Sequence, residues 1–144
     1  MTASVAATIA DALKTDIDAQ SWPLTLTTYR EYMTSINRAT LGSEVRVSIF
    51  PYTHQIERIA RSTTTKTHGV GVVIRAAADP EDPAALDDLV ETIEALASRY
   101  ALESIGGGTP DIVQMLVADQ LYDVDQLADS RLFVGGITIN YQTR

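Results

Sequence analysis

Apolar residues recur at four-residue spacing near the start of the chain, at Val5, Ile9, Leu13 and Ile17, with Ala6, Ala10 and Ala12 between them. That spacing predicts a helix of about four turns carrying one narrow apolar stripe, with Thr2 or Ser4 available as N-cap. A narrow stripe suits a helix lying on a sheet. The period then changes to two. Trp22, Leu24 and Leu26 alternate with polar positions around Pro23, and the segment runs on to Tyr29 and Tyr32. Val45, Val47 and Ile49 alternate with Arg46 and Ser48, and Pro51 is expected to stop that run. Val70, Val72, Ile74 and Ala76 alternate with Gly71, Val73 and Arg75. These runs predict three strands, each with one face toward the core.

A second helical pattern follows, with better-defined signals. Asp82 is a natural N-cap, Pro83 suits the first helical position, and Asp87 and Asp88 complement the positive end of the helix. Leu86, Leu89, Val90, Ile93, Leu96, Ala97 and Tyr100 trace a broad core-facing stripe. Gly106, Gly107 and Gly108, followed by Thr109 and Pro110, predict a hinge-like connection. Residues 112–118 and 132–141 predict the final strands, joined by a polar turn region at 122–130, and the Gly135-Gly136 pair predicts a bulge in the last of them. The order of periods therefore predicts one α+β domain over 1–144: a mixed or mainly antiparallel sheet of about five strands packed with two main helices.

Between the second and third strands, residues 53–69 exceed the usual hairpin connection. They hold Arg58, Arg61 and Lys66 against the single acid Glu57. The segment is either a floppy loop or an arm or long hairpin that meets a neighbouring subunit or an acidic partner.

Charge sharpens this picture. The chain has 144 residues and a net charge of -8. Residues 1–75 carry eight Lys and Arg against six Asp and Glu, whereas residues 76–130 carry thirteen Asp and Glu against the lone Arg99. The acidic half is either a solvated face or one side of a head-to-tail oligomer in which basic and acidic surfaces meet. The overall balance opposes nonspecific binding to nucleic acid, whose phosphate backbone is held by clustered cations, and no specific nucleic-acid binding is expected. No cysteine is present, so disulfides and thiolate chemistry do not enter. The first twelve residues lack the basic and apolar regions of a cleaved export signal, and no apolar run approaches a membrane span. A protein soluble inside a cell, without membrane partners, is expected.

Candidate chemistry is sparse. The triple glycine lacks the Gly-Lys-Ser/Thr ending of a phosphate loop and follows a helix rather than opening one. His54 and His68 have only Glu57 nearby, a poor metal-ligand set, and read as surface histidines. Asp119, Asp123, Asp125 and Asp129 lack the glycine and glutamate of a calcium loop and read as a solvated turn. No serine lies in a nucleophile elbow and no triad stands out. No catalytic, cofactor-binding or metal site is assigned, and a non-enzymatic role is expected.

Several features together resemble a known family. They are the Ile9-Ala10-Asp11-Ala12-Leu13 helix, a strand ending at Pro51, and a connection bearing Arg58 and Arg61. A strand at 70–76 follows, then an Asp-rich helix with Leu86, Val90 and Ile93. The closing segment carries Leu121-Tyr122-Asp123, Leu127, Phe133 and Ile137-Thr138-Ile139-Asn140-Tyr141. In this order, over nearly the whole chain, they resemble the tail terminator proteins of long-tailed bacteriophages. The resemblance implies a sheet flanked by helices. It also implies a virion protein that forms a ring, commonly a hexamer, in the host cytoplasm during assembly. Such a ring caps the tail tube, stops its polymerisation and offers a surface to the head-side connector. Its implied partners are the major tail tube protein and the connector or head closure protein, with a lumen able to pass DNA. Other neck proteins, for head closure or head-tail joining, share that size. A soluble adaptor that binds an acidic partner through the basic loop is the alternative of a different class. The expected interface residues are Arg58, Arg61 and Lys66 on the arm and Asp87, Asp88, Glu91 and Glu94 on the helix.

Overall fold

The computed structural model describes residues 4–33, 36–100, 112–117 and 122–143. Helix α1 spans Val5–Ala19, and Ser4 is its N-cap, its Oγ accepting the Ala7 amide at 3.0 Å. Ile9, Ala10, Leu13 and Ile17 are buried along the stripe, whereas Val5 at its head is 45 % exposed. At the other end the Trp22 indole donates to the Ile17 carbonyl at 2.9 Å, satisfying a helix-end acceptor. That fold-back corrects the strand expected from Trp22 onward. Trp22, Leu24 and Leu26 pack at the core margin, and strand β1 covers only Thr27–Arg30.

Strand β1 runs parallel to β2, Arg46–Ala60, from Thr27 against Arg46 to Arg30 against Ile49. The crossover between them carries a short helix not foreseen from the pattern, α2, Arg38–Leu41, capped by Asn37. Pro51 does not stop β2. Beyond Ile49 the β1 side of this strand has no registered partner among the described residues, and the pairing with the next strand shifts between Pro51 and Thr53. An edge with a bulge tolerates a residue without an amide donor. Strand β2 therefore continues into an antiparallel hairpin with β3, Thr63–Ala77, and 53–69 is a long hairpin rather than a loop.

Strand β3 pairs antiparallel with β5, Leu132–Thr143, which in turn pairs antiparallel with β4, Ile112–Val117. The sheet order is β1-β2-β3-β5-β4, a mixed five-stranded sheet in an α+β domain. Between β3 and β4 lies α3, Pro83–Tyr100. Asp82 accepts the Ala85 amide at its start, and the first turn itself holds no acid, Asp87 and Asp88 lying beyond it. Between β4 and β5 the segment expected to be a polar turn forms α4, Val124–Ser130. Asp123 caps it by accepting the Gln126 amide at 3.1 Å, so this carboxylate serves a helix end. The triple-glycine hinge and Asp119 lie outside the described residues.

Helices α1 and α3 bury their stripes on one sheet face, against Val47, Ile49, Val70, Val72, Ile74, Phe133, Ile137, Ile139 and Tyr141. Helix α3 also buries Thr92, whose hydroxyl donates to the Asp88 carbonyl at 2.8 Å within its own helix. Asp16 of α1 ties the helices together by accepting from the Tyr100 hydroxyl at 2.5 Å and from Arg99 at 3.2 Å. Burial, and next the bond to Asp16, raise the Tyr100 phenol above its ordinary range. The expected bulge at Gly135-Gly136 is absent, the β3 register running through both residues without a shift. A Cβ on Gly136 would lie 2.2 Å from the Val72 carbonyl oxygen, so the glycine marks a close backbone approach.

Candidate functional site

The sequence-predicted interface residues fall into two sets. On the arm, Glu57 stands opposite Thr65, Arg58 opposite Thr64 and Ile56 opposite Lys66. The registered pairing with β5 begins at Lys66, so among the described residues the part of the hairpin beyond it is two-stranded. Arg58 closes the tip, donating from Nη2 to the Arg61 carbonyl at 2.7 Å and from Nε to the Ala60 carbonyl at 3.4 Å. Arg61 and Lys66 are exposed, and so is the apolar Ile56, at 58 %. The arm thus presents cations around an unburied aliphatic side chain.

The second set lies on α3. Asp87, Asp88, Glu91 and Glu94 are all exposed on the side opposite Leu89, Ile93 and Leu96. None of these carboxylates forms an ion pair among the described residues. The fold keeps the two sets apart, because the arm grows from β2 and β3 whereas α3 packs on β5 and β4. Among the described residues the arm cations and the α3 carboxylates therefore do not pair with each other.

The second sheet face holds what sequence reasoning missed. Alternation turns Arg46, Ser48, Phe50 and Arg75 away from the helices, and the register sets Arg46 directly opposite Arg75. Two like charges in that position repel. Glu31, in the crossover after β1, resolves the conflict. Its carboxylate accepts from Arg46 at 2.7 and 2.6 Å and from Ser48 at 2.9 Å, and lies 3.7 Å from Arg75. Arg75 also donates to Ser48 at 3.0 Å and is only 4 % exposed. The hydrogen bonds from Arg46 above all hold the Glu31 carboxyl below its ordinary range, and burial lowers Arg75. Tyr29 completes the cluster, its ring 3.9 Å from the Arg46 guanidinium and its hydroxyl 2.5 Å from Glu44. The bond to Glu44 raises its phenol. This network holds the crossover on the sheet. Its members looked like ordinary polar positions of alternating strands, and only the register reveals that the two arginines meet.

Beside this network lies an apolar groove of about 690 Å³, lined among others by Tyr32, Met33, Phe50, Tyr52, Val73 and Gly136. Phe50 rests on Gly71, where a Cβ would lie 2.9 Å from the ring. Tyr52, at the bulge, is 66 % exposed.

His54 and His68 are register partners with stacked rings, centroids 5.2 Å apart. The surface reading holds for His54 alone. His68 is 5 % exposed, and burial first, then His54 and Lys66, push its imidazole below the ordinary range. No cluster of three metal-ligating side chains occurs among the described residues. Nor is any helix among them long and apolar enough to cross a membrane.

Compared with family models and with curated proteins, the chain matches none.

Proposed function

We propose that this chain is a structural component of a phage tail, a tail terminator that assembles into a hexameric ring by joining the basic arm of one copy to the acidic α3 face of the next. The observation that carries this reading is the separation of the two charge sets. Among the described residues the arm bearing Arg61 and Lys66 forms no ion pair with the helix face bearing Asp87, Asp88, Glu91 and Glu94. A heterologous contact between unlike patches closes into a ring when its rotation permits. The order of elements that resembles tail terminators points to the same assembly, with the tail tube and the head-side connector on its two sides.

Light scattering at low and high salt, with and without tail tubes, tests the proposal. The expected mass is several times 15.6 kDa, falling as salt screens the contact. Arg61→Glu, or neutralising the four α3 carboxylates to Asn and Gln, should abolish assembly while leaving the melting temperature unchanged. Arg58 is spared in this test because its guanidinium holds the hairpin tip. A strict monomer under every condition overturns the ring. A monomer that still captures an acidic partner through the arm would establish the adaptor reading instead.

A further inference from the structure

Charge alone does not decide where the arm lands, because exposed charges are screened by salt and set orientation and rate more than affinity. The arm also has an apolar group to bury. Exposed Ile56 is the register partner of exposed Lys66, so an aliphatic side chain and an ammonium lie side by side across the hairpin, with exposed Arg61 at its tip. A surface that fits this pattern carries an exposed aliphatic group set among acids. Val124, at the start of α4, has that setting. It is 51 % exposed and stands between Asp123 and Asp125 in the chain. One turn on, exposed Ala128 and Asp129 repeat the pair, so Val124 and Ala128 form one row of the helix and Asp125 and Asp129 the next. Asp123 is engaged in capping, where it accepts the Gln126 amide. Other large apolar side chains are exposed in different company. Val5 lies between Ser4 and Ala6, and Tyr32, Met33 and Tyr52 line the groove on the second sheet face. Helix α4 packs on β5, as α3 does, and buries Leu127 in the same core, so its exposed side belongs to the same helix layer.

We propose that the exposed side of α4 seats the arm of a second copy, Ile56 packing on Val124 and Ala128 while Lys66 and Arg61 meet Asp125 and Asp129. The proposal rests on the ring reading above and gives its contact an apolar centre. Helix α3 does not supply one, since no large apolar side chain of that helix is exposed. A small apolar pair closed off from water holds a contact, and the charges around it exclude wrong partners and fix the register. The carboxylates of α3 enlarge the negative field that draws the arm in.

Light scattering over a concentration series reads the contact. Val124→Ser, at an exposed position, should leave the melting temperature unchanged and raise the concentration needed for half-assembly at least about tenfold. Val5→Ser removes a comparably exposed aliphatic group and should assemble like the parent. Mixing tests the pairing itself. Ile56→Ser with Arg61→Glu spoils the arm and keeps α4, whereas Val124→Ser with Asp125→Asn spoils α4 and keeps the arm. Each variant alone should stay monomeric. Together they should form a dimer and nothing larger, because one intact contact is all that the two can make. The α4 seat is overturned, with the ring kept, if the parent assembles and Val124→Ser assembles equally well, if Val5→Ser weakens assembly as much, or if the mixture stays monomeric. A parent that is monomeric at every concentration, with and without tail tubes, overturns the ring and the seat together.

Discussion

Glu31→Gln tests whether one carboxylate holds the crossover against two opposed arginines. The substitution keeps size and shape but removes the charge that accepts two Arg46 bonds and a Ser48 bond and faces Arg75 across 3.7 Å. Hydrogen bonds to a charged group contribute about 1.5–3 kcal/mol each, and leaving a buried charge without its partner costs about 3–5 kcal/mol. The Glu31 side chain is 24 % exposed, so water recovers part of that loss, and a net destabilisation of about 2–4 kcal/mol is expected. For a domain of this size that is roughly 3 °C of melting temperature per kcal/mol. The folded-state pKa of Glu31 lies below its unfolded value. Its contribution is therefore present above the unfolded pKa and lost as pH falls through the folded one. Urea denaturation from pH 7 downward should show the gap between parent and variant closing below about pH 4.5. Adding Arg75→Met should restore part of the lost stability, because the repulsion disappears with the second guanidinium. A variant within about 0.5 kcal/mol of the parent at pH 7 would refute the reasoning and reduce the network to an ordinary surface pair.

Leu89→Ala and Ile93→Ala remove buried aliphatic volume beneath α3 and should each lower stability by ~2–5 kcal/mol in thermal or denaturant melts. Gly136→Ala places a methyl group where the Val72 carbonyl already stands, so strand β5 must shift, with a loss of ~1–3 kcal/mol or more and reduced soluble yield. His68, pushed down by burial, should titrate below the ordinary histidine value of about 6.5 in NMR. Because the unfolded chain then binds the proton first, stability should fall as pH drops below that value, and His68→Gln should flatten the dependence.

The stripes of α1 and α3 were legible because burial follows helical period closely: Ile9, Leu13, Ile17, Leu89, Ile93 and Leu96 all lie in the core. The alternating cores of β2, β3 and β5 were legible for the same reason, at period two. What escaped the reading was set by context rather than by local preference. Pro51 ends a central strand but not an edge, and whether β2 is an edge beyond Ile49 depends on how short β1 is. Helix α4 was hidden because Asp123, Asp125 and Asp129 look like turn residues until Leu127 is seen buried under the sheet margin. The Glu31 network was out of reach because its partners lie 15 to 44 positions apart and meet only through register. The arm residues Arg58, Arg61 and Lys66 were picked out by composition alone, and the structure adds that Arg58 has a duty within the hairpin itself.

The arm is the part of the fold that internal stability accounts for least. Two strands alone are marginal in water, and here the described part of the tip carries the bonds of Arg58, a buried Thr65 and an aliphatic Ile56 left in solvent. A shorter turn after Pro51 would close the same core, since Val47, Ile49, Val70 and Val72 lie below the arm. An extension that exposes Arg61, Lys66 and Ile56 fits a surface for another molecule. The acidic side of α3 supplies a complement of the right sign on every copy, which favours a partner identical to the chain itself. Deleting residues 56–66 and joining the strands with a two-residue turn should retain cooperative unfolding and eliminate assembly. Loss of the fold itself would mean that the arm belongs to the core and that its exposure is no guide to a partner.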